Sequence, residues 1–208
     1  SVNKIYQDSN GLIWIGTGGG GLSLLSVVKE LYRRDANDTG ELDHRLRVGF
    51  SNFVPDRSKQ GSISDFNVIS IFEDRDGIMW FGTDGGGVNR VERLKRDIGP
   101  PMFVQYTVDK NNPETEGLTH VNAIEQDRHG ILWFGTQDGL ISMHPYLNKY
   151  KRYTARPGDR STIGHNYVRT IYKDRAGVLW IGTDGGGVSK LITGNSADDP
   201  VVFIHYRM

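Results

Sequence analysis

Asp74-Arg75-Asp76-Gly77-Ile78-Met79-Trp80-Phe81-Gly82-Thr83-Asp84-Gly85-Gly86-Gly87-Val88 recurs in near-copies at Asp8 to Leu22, Asp127 to Leu140 and Asp174 to Val188. Every copy keeps an Asp, a Gly three residues on, a Trp three beyond that, and Gly-Thr shortly after the Trp. A pattern of this length, found at four places, marks a repeat protein.

Within one unit a short apolar run (Val68, Ile71, Phe72) leads to the Asp, and a second run, Ile78 to Thr83, carries the Trp. The Asp-x-x-Gly between them reads as a hairpin turn, in which the carboxylate bonds turn amides and the Gly takes positive φ without a Cβ penalty. The second run is β-branched and aromatic, and it ends at a Gly cluster that marks another reversal. Third runs follow at Leu22–Leu25, Val88–Val91, Leu140–Met143 and Val188–Leu191. Fourth runs stand at Phe50–Val54, Met102–Tyr106, Lys151–Tyr153 and Val202–Tyr206.

Four antiparallel strands per unit, one Trp per unit and four units predict an all-β β-propeller of four four-stranded antiparallel blades. One array over 1–208 is expected, with blades near 1–54, 67–106, 120–153 and 167–206. A single sheet leaves both faces wet, whereas stacked blades cover one another. A Trp buried between blades removes roughly 150–250 Å² from water, about 4–6 kcal/mol before entropy is subtracted. Trp14, Trp80, Trp133 and Trp180 therefore read as core, and Asp8, Asp74, Gly77, Gly82, Asp127, Gly130, Asp174 and Gly177 as its framework.

The 25 basic and 25 acidic residues cancel, leaving no electrostatic footprint for nucleic acid or an anionic membrane surface. No run approaches the roughly 20 apolar residues that span a bilayer, so direct membrane contact is not expected. Either the protein is soluble as it stands, or targeting and membrane segments lie elsewhere in a longer chain. Both ends of the sequence read as cuts between whole blades. The 27 glycines suit many short strands joined by turns, and the absence of cysteine excludes thiolate metal sites and thiol nucleophiles.

The pattern Val-x-x-Ile-x-x-Asp-x-x-Gly-x-Leu-Trp-x-Gly-Thr-x-x-Gly-Gly-Leu, followed nearly throughout from Val168 to Val188, resembles the two-component regulator propeller repeat. Ser161-Thr162-Ile163-Gly164-His165-Asn166-Tyr167-Val168 and Ser62-Ile63-Ser64-Asp65-Phe66-Asn67-Val68 are similar to the family's lead-in. The resemblance covers all four units. It implies a sensor region of bacterial hybrid histidine kinases, placed in the periplasm or otherwise outside the cytoplasm, recognising a carbohydrate or other nutrient-derived ligand. The signal would pass across the membrane through a dimer. The family typically uses more than four blades per ring, so the ring is completed by further blades of the parent chain or by a second copy, unless four blades close tightly.

The first repeat carries a highly charged insertion, about Val27 to Gly49, expected as a solvated loop or a contact for a partner. Lys95 to Pro101 is a shorter connection of the same type. The long fourth-to-first connections, Asp56–Asn67, Thr107–His120 and Thr154–Tyr167, fall by strand alternation on the same side as the Gly clusters. Ligand recognition is expected there. The variable residues on that side are Asp84, Gln137 and Asp184 after Gly-Thr, and Asn67, His120, His165 and Tyr167 before the inner strands. Such side chains at a channel mouth suit hydrogen bonding to a polar small molecule or oligosaccharide.

Four recurring Asp residues would require four active sites, so turn capping is the better reading of them. The position of Asp76 is held by Asn10, His129 and Ala176 elsewhere, which disfavours calcium. The Gly clusters lack the Lys-Ser/Thr and helix of a phosphate loop, and the Asp-to-Gly spacing differs from that of the sialidase-type Asp-box. His120 and His165 have no evident third ligand, so neither metal nor cofactor is expected, and no catalytic residue stands out. An interaction scaffold is the alternative to ligand sensing. A propeller lyase or hydrolase ranks third; it would pair His120 or His165 with Asp84 or Asp184.

Overall fold

The computed structural model describes residues 1–32, 43–92, 101–194 and 199–206. Four sequential sheets follow one another, each with its strands in chain order and antiparallel. They comprise β1 to β4 (Val2–Gln7, Ile13–Thr17, Leu22–Tyr32, Asp43–Phe53) and β5 to β8 (Val68–Glu73, Met79–Thr83, Val88–Glu92, Met102–Tyr106). The third and fourth are β9 to β12 (Val121–Gln126, Leu132–Thr136, Gly139–His144, Lys149–Tyr153) and β13 to β16 (Val168–Lys173, Leu179–Thr183, Gly187–Ile192, Val202–Tyr206). The all-β bladed architecture read from the repeat is the one observed.

The turn chemistry has one element that spacing alone did not suggest. Oδ1 of Asp74 accepts from the amides of Asp76 and Ile78 at 3.0 and 2.9 Å, while Oδ2 accepts from Trp80 Nε1 at 2.8 Å. Asp8, Asp127 and Asp174 make the same three bonds, to Trp14, Trp133 and Trp180 in turn. The turn is thereby tied to the core. At the other end of the second strand, Thr83 Oγ1 donates to Gly87 O at 2.8 Å and accepts from Gly86 N at 3.0 Å, closing the glycine reversal.

Each sheet faces its neighbours with two different sets of side chains. The Trp side meets the next blade: the Trp14 and Phe81 rings lie 5.2 Å apart, and Trp80 and Phe134 6.5 Å. The inner-strand Val and Ile face the blade before. The Gly of Trp-x-Gly-Thr makes the seam close, since a Cβ on Gly82 would stand 2.5 Å from Val121 O. Side chains stitch the same seams: Asn3 Nδ2, Ser70 Oγ and Asn122 Nδ2 donate to the carbonyls of Val68, Val121 and Val168 at 3.1, 2.8 and 2.8 Å.

The blades form an open arc. Val2 and Ile5 are 60% and 61% exposed where Val68 and Ile71 are 0% and 5%. At the other end Tyr172 and Tyr206 are exposed and Trp180 is half-buried, although the other three Trp residues are fully buried. Among the described residues blades one and four do not cover each other, and no tight four-bladed closure is formed.

The insertion expected as a loop is largely paired. β3 and β4 run 11 residues each, in register from Leu22↔Phe53 to Tyr32↔Asp43. The apolar residues Val27, Val28, Leu31, Leu46 and Val48 are interleaved among the charges, and β-forming residues so placed sustain a ladder that a count of charges conceals. The middle of the insertion, 33–42, and most of the Lys95 to Pro101 connection lie outside the described residues.

Candidate functional site

The glycine reversals and the fourth-to-first connections meet on one face, as strand alternation requires. Gly19 and Gly21 amides donate to Phe66 O at 3.2 and 2.7 Å, those of Gly85 and Gly87 to Thr119 O at 3.0 and 3.1 Å, and Gly139 N to Asn166 O at 2.8 Å. Each of these three reversals is thus bonded to the lead-in of the following blade.

This contact juxtaposes the residue after Gly-Thr in one blade with the residue before the inner strand of the next. Gly18 pairs with Asn67 and Asp84 with His120 as antiparallel bridges. His120 Nε2 lies 3.6 Å from Asp84 Oδ1, both side chains more than a third exposed. Asn67 is half-buried, and its carbonyl accepts from Asp84 N at 3.0 Å, which fixes the aspartate backbone from within its own blade. Gln137 occupies the corresponding position in blade three, half-buried beside exposed Asp138.

Blade four adds a residue that the sequence reading missed. Arg169 donates through Nη2 to Asp184 Oδ2 at 2.7 Å, and its guanidinium carbon stands 4.6 Å from the centre of the Tyr167 ring. The Asp184 carboxylate holds the Arg169 guanidinium even further above its usual range, first through this hydrogen bond and then through charge. Tyr167 O accepts from Asp184 N at 2.9 Å, so the three residues form one unit. The signal was present: Arg169 follows Val168 where Asn3, Ile69 and Asn122 follow their valines.

His165 belongs elsewhere. Its Nδ1 accepts from Tyr167 N at 3.1 Å, and the residue lines a concavity with His205 of the outermost strand β16. The face therefore presents carboxylates, an imidazole, a guanidinium and a phenol along the arc's inner seams, a set of donors and acceptors suited to a polar ligand.

Four chain-ordered antiparallel sheets stacked side by side define a β-propeller segment. The model of the family "Two component regulator propeller" matches residues 1–19, 61–85, 116–138 and 162–185, so the chain carries four two-component regulator propeller repeats. Among curated proteins, histidine kinase P4 of Formosa agariphila is 30% identical over 95 residues, which are 46% of this chain and 7% of the kinase. The extracellular domain assigned to a hybrid two-component system of B. thetaiotaomicron is 25% identical with a TM-score of 0.58, over 97% of this chain and 22% of that one. The extracellular domain assigned to a one-component system of the same organism shares the fold at 20% identity and a TM-score of 0.63, over 91% of this chain and 21% of that one. The chain spans about a fifth of these two structures and a smaller fraction of the kinase.

Proposed function

We propose that this chain is part of the extracytoplasmic sensor propeller of a two-component-type receptor, binding a polar nutrient-derived small molecule or oligosaccharide on the face that carries the glycine reversals. The observation that carries the reading is the cross-blade pairing of Asp84 with His120. A ligand bridging these side chains touches two blades at once, so binding changes how the blades sit together. The repeats and the kinase and receptor relatives support the class of protein. Output then belongs to a histidine kinase segment of the parent chain. The open faces of blades one and four are covered by its remaining blades or by a second copy.

Isothermal titration of the receptor's complete propeller against an oligosaccharide panel tests this reading. A ligand is expected whose affinity falls roughly tenfold or more in Asp84→Ala and His120→Ala. The reading fails if none binds, or if both variants bind and signal as the parent does.

The β3–β4 arm favours a second reading, docking of a partner protein, because its strands are about twice the length of β7 and β8. Shortening the arm leaves ligand titrations unchanged under the first reading and abolishes partner capture under the second.

A further inference from the structure

Blades two and four carry the same concavity, built between the lead-in loop and the outermost strand, with a different balance of charge. In blade two it encloses about 1150 Å³ and is lined by Asp56, Arg57, Lys59, Asp65 and Gln105 among others, two cations against two carboxylates. In blade four it encloses about 920 Å³ and is lined by Arg156, Asp159, Arg160, His165 and His205 over Ile163 and Phe203. The loops correspond residue for residue, since Asp56 N donates to Ser62 Oγ as Arg156 N donates to Thr162 Oγ1. Blade four therefore places Arg156 for Asp56, Pro157 for Arg57, Asp159 for Lys59, Arg160 for Gln60, His165 for Asp65 and His205 for Gln105, which turns a balanced set of charges into a net positive one.

Blade two uses several of its polar groups internally. Lys59 pairs with Asp56 at 3.4 Å, Ser64 and Asn89 bond each other through amide, hydroxyl and side-chain amide, and Gln105 Nε2 donates to Ser62 O at 2.9 Å. Blade four leaves its donors available. Ser64 is replaced by Gly164, where a Cβ would meet Gly186 O at 2.5 Å and would crowd His205 Nδ1 at 3.3 Å. Among the described residues neither the Arg156 nor the Arg160 guanidinium makes an ion pair. His165 Nδ1 already accepts an amide proton, so the neutral ring carries its own proton on Nε2 as a donor. His205 Nδ1 is engaged 3.0 Å from the buried Ser189 hydroxyl, which leaves its Nε2 for a ligand.

We propose that the rim concavity of blade four is a binding site for a small organic anion, a carboxylate or sulfate ester, separate from the Asp84–His120 seam. The anionic group is held by the Arg156 and Arg160 guanidinia and the two imidazoles, because charge-assisted bonds from planar donors favour oxyanions. Ile163 and Phe203 are both buried and form an apolar floor for the body of the ligand. Asp159 stays ionised on the same rim: the Ser161 hydroxyl and amide, and more weakly the Arg156 charge, hold it below the usual carboxylate range, so it offsets one of the two guanidinium charges and a net positive charge remains.

The test is titration of the whole chain with benzoate and with phenyl sulfate, using benzyl alcohol as the neutral control, read by the ring resonances of His165 and His205. Both anions are expected to bind at least about tenfold more tightly than the alcohol, and the sulfate or carboxylate source is told by which binds better. The exchange Arg156→Asp with Arg160→Gln, which installs the blade-two residues, is expected to remove that preference. Both side chains are exposed, and an unchanged thermal midpoint shows that the fold survives; Arg160→Gln alone serves if the pair does not fold. His120→Ala should leave anion binding intact, which separates this site from the sensing face. Equal binding of alcohol and anions, or an exchange that leaves the preference in place, overturns the proposal.

Discussion

The indole nitrogen of Trp80 donates to Oδ2 of Asp74 at 2.8 Å, inside a seam where the ring has no exposure. Removing the carboxylate strands a buried N–H and frees two turn amides. Asp74→Ala is therefore expected to cost about 2–4 kcal/mol in urea unfolding. Asp174→Ala should cost less, because Trp180 is half-buried and water replaces the lost partner.

Acid should reveal the same bond. The Trp180 indole, followed by the Val178 amide, holds the Asp174 carboxyl below its ordinary value. A folded value below the unfolded one of about 4 gives a contribution fully present above that pH and lost as pH falls through the folded value. The stability gap between the parent chain and Asp174→Asn is expected to narrow as pH drops below about 4. Urea midpoints on either side of that range measure it, and a gap independent of pH would contradict the assignment.

Alkali should act through Tyr150. Burial, with the neighbouring Tyr106 second, pushes this phenol up to about 12. The folded chain then holds the proton more tightly than the unfolded one, so the contribution is whole below about pH 10 and is lost as pH climbs through the folded value. Tyr150→Phe is expected to flatten the fall of stability between those limits. The slope that remains belongs partly to Tyr153, which burial also raises.

Gly82→Ala should separate blades. The added methyl meets Ser70 Oγ at 2.1 Å and Val121 O at 2.5 Å, and the carbonyl cannot move without its strand. A loss of about 3 kcal/mol is expected, at the upper end for overpacking. At Gly182 the atom met closest is Thr170 Cγ2 at 2.7 Å, a side chain able to turn away. Gly182→Ala should therefore be the milder of the two by thermal midpoint.

The repeat made the blades legible because spacing within a unit dictates local hairpins: Asp to Gly fixes a turn, and Gly-Thr fixes the next reversal. What spacing within a unit does not contain is the neighbouring unit. The bonds from Asn3 to Val68 and from Asn122 to Val168 depend on how two blades stack, and their residue types vary from copy to copy. The seam pairing of Asp84 with His120 joins a position after Gly-Thr to one before the next inner strand, and which His meets which Asp depends on the stack. Arg169 is not legible from the repeat because it sits inside a strand pattern, where a charge reads as solvent-facing. The β3–β4 arm was hidden for the opposite reason, its strand periodicity diluted by charge.

Three of the four indoles are sealed by a following blade, and Trp180 is not. The chain therefore carries a built-in optical label for its own free end. Collisional quenchers such as acrylamide should reach one emitter of the four, and whatever settles on the outer side of blade four, be it further blades or another copy, should silence that quenching. Stern–Volmer curves on this chain and on longer pieces of its receptor would thus follow assembly of the propeller without any added dye.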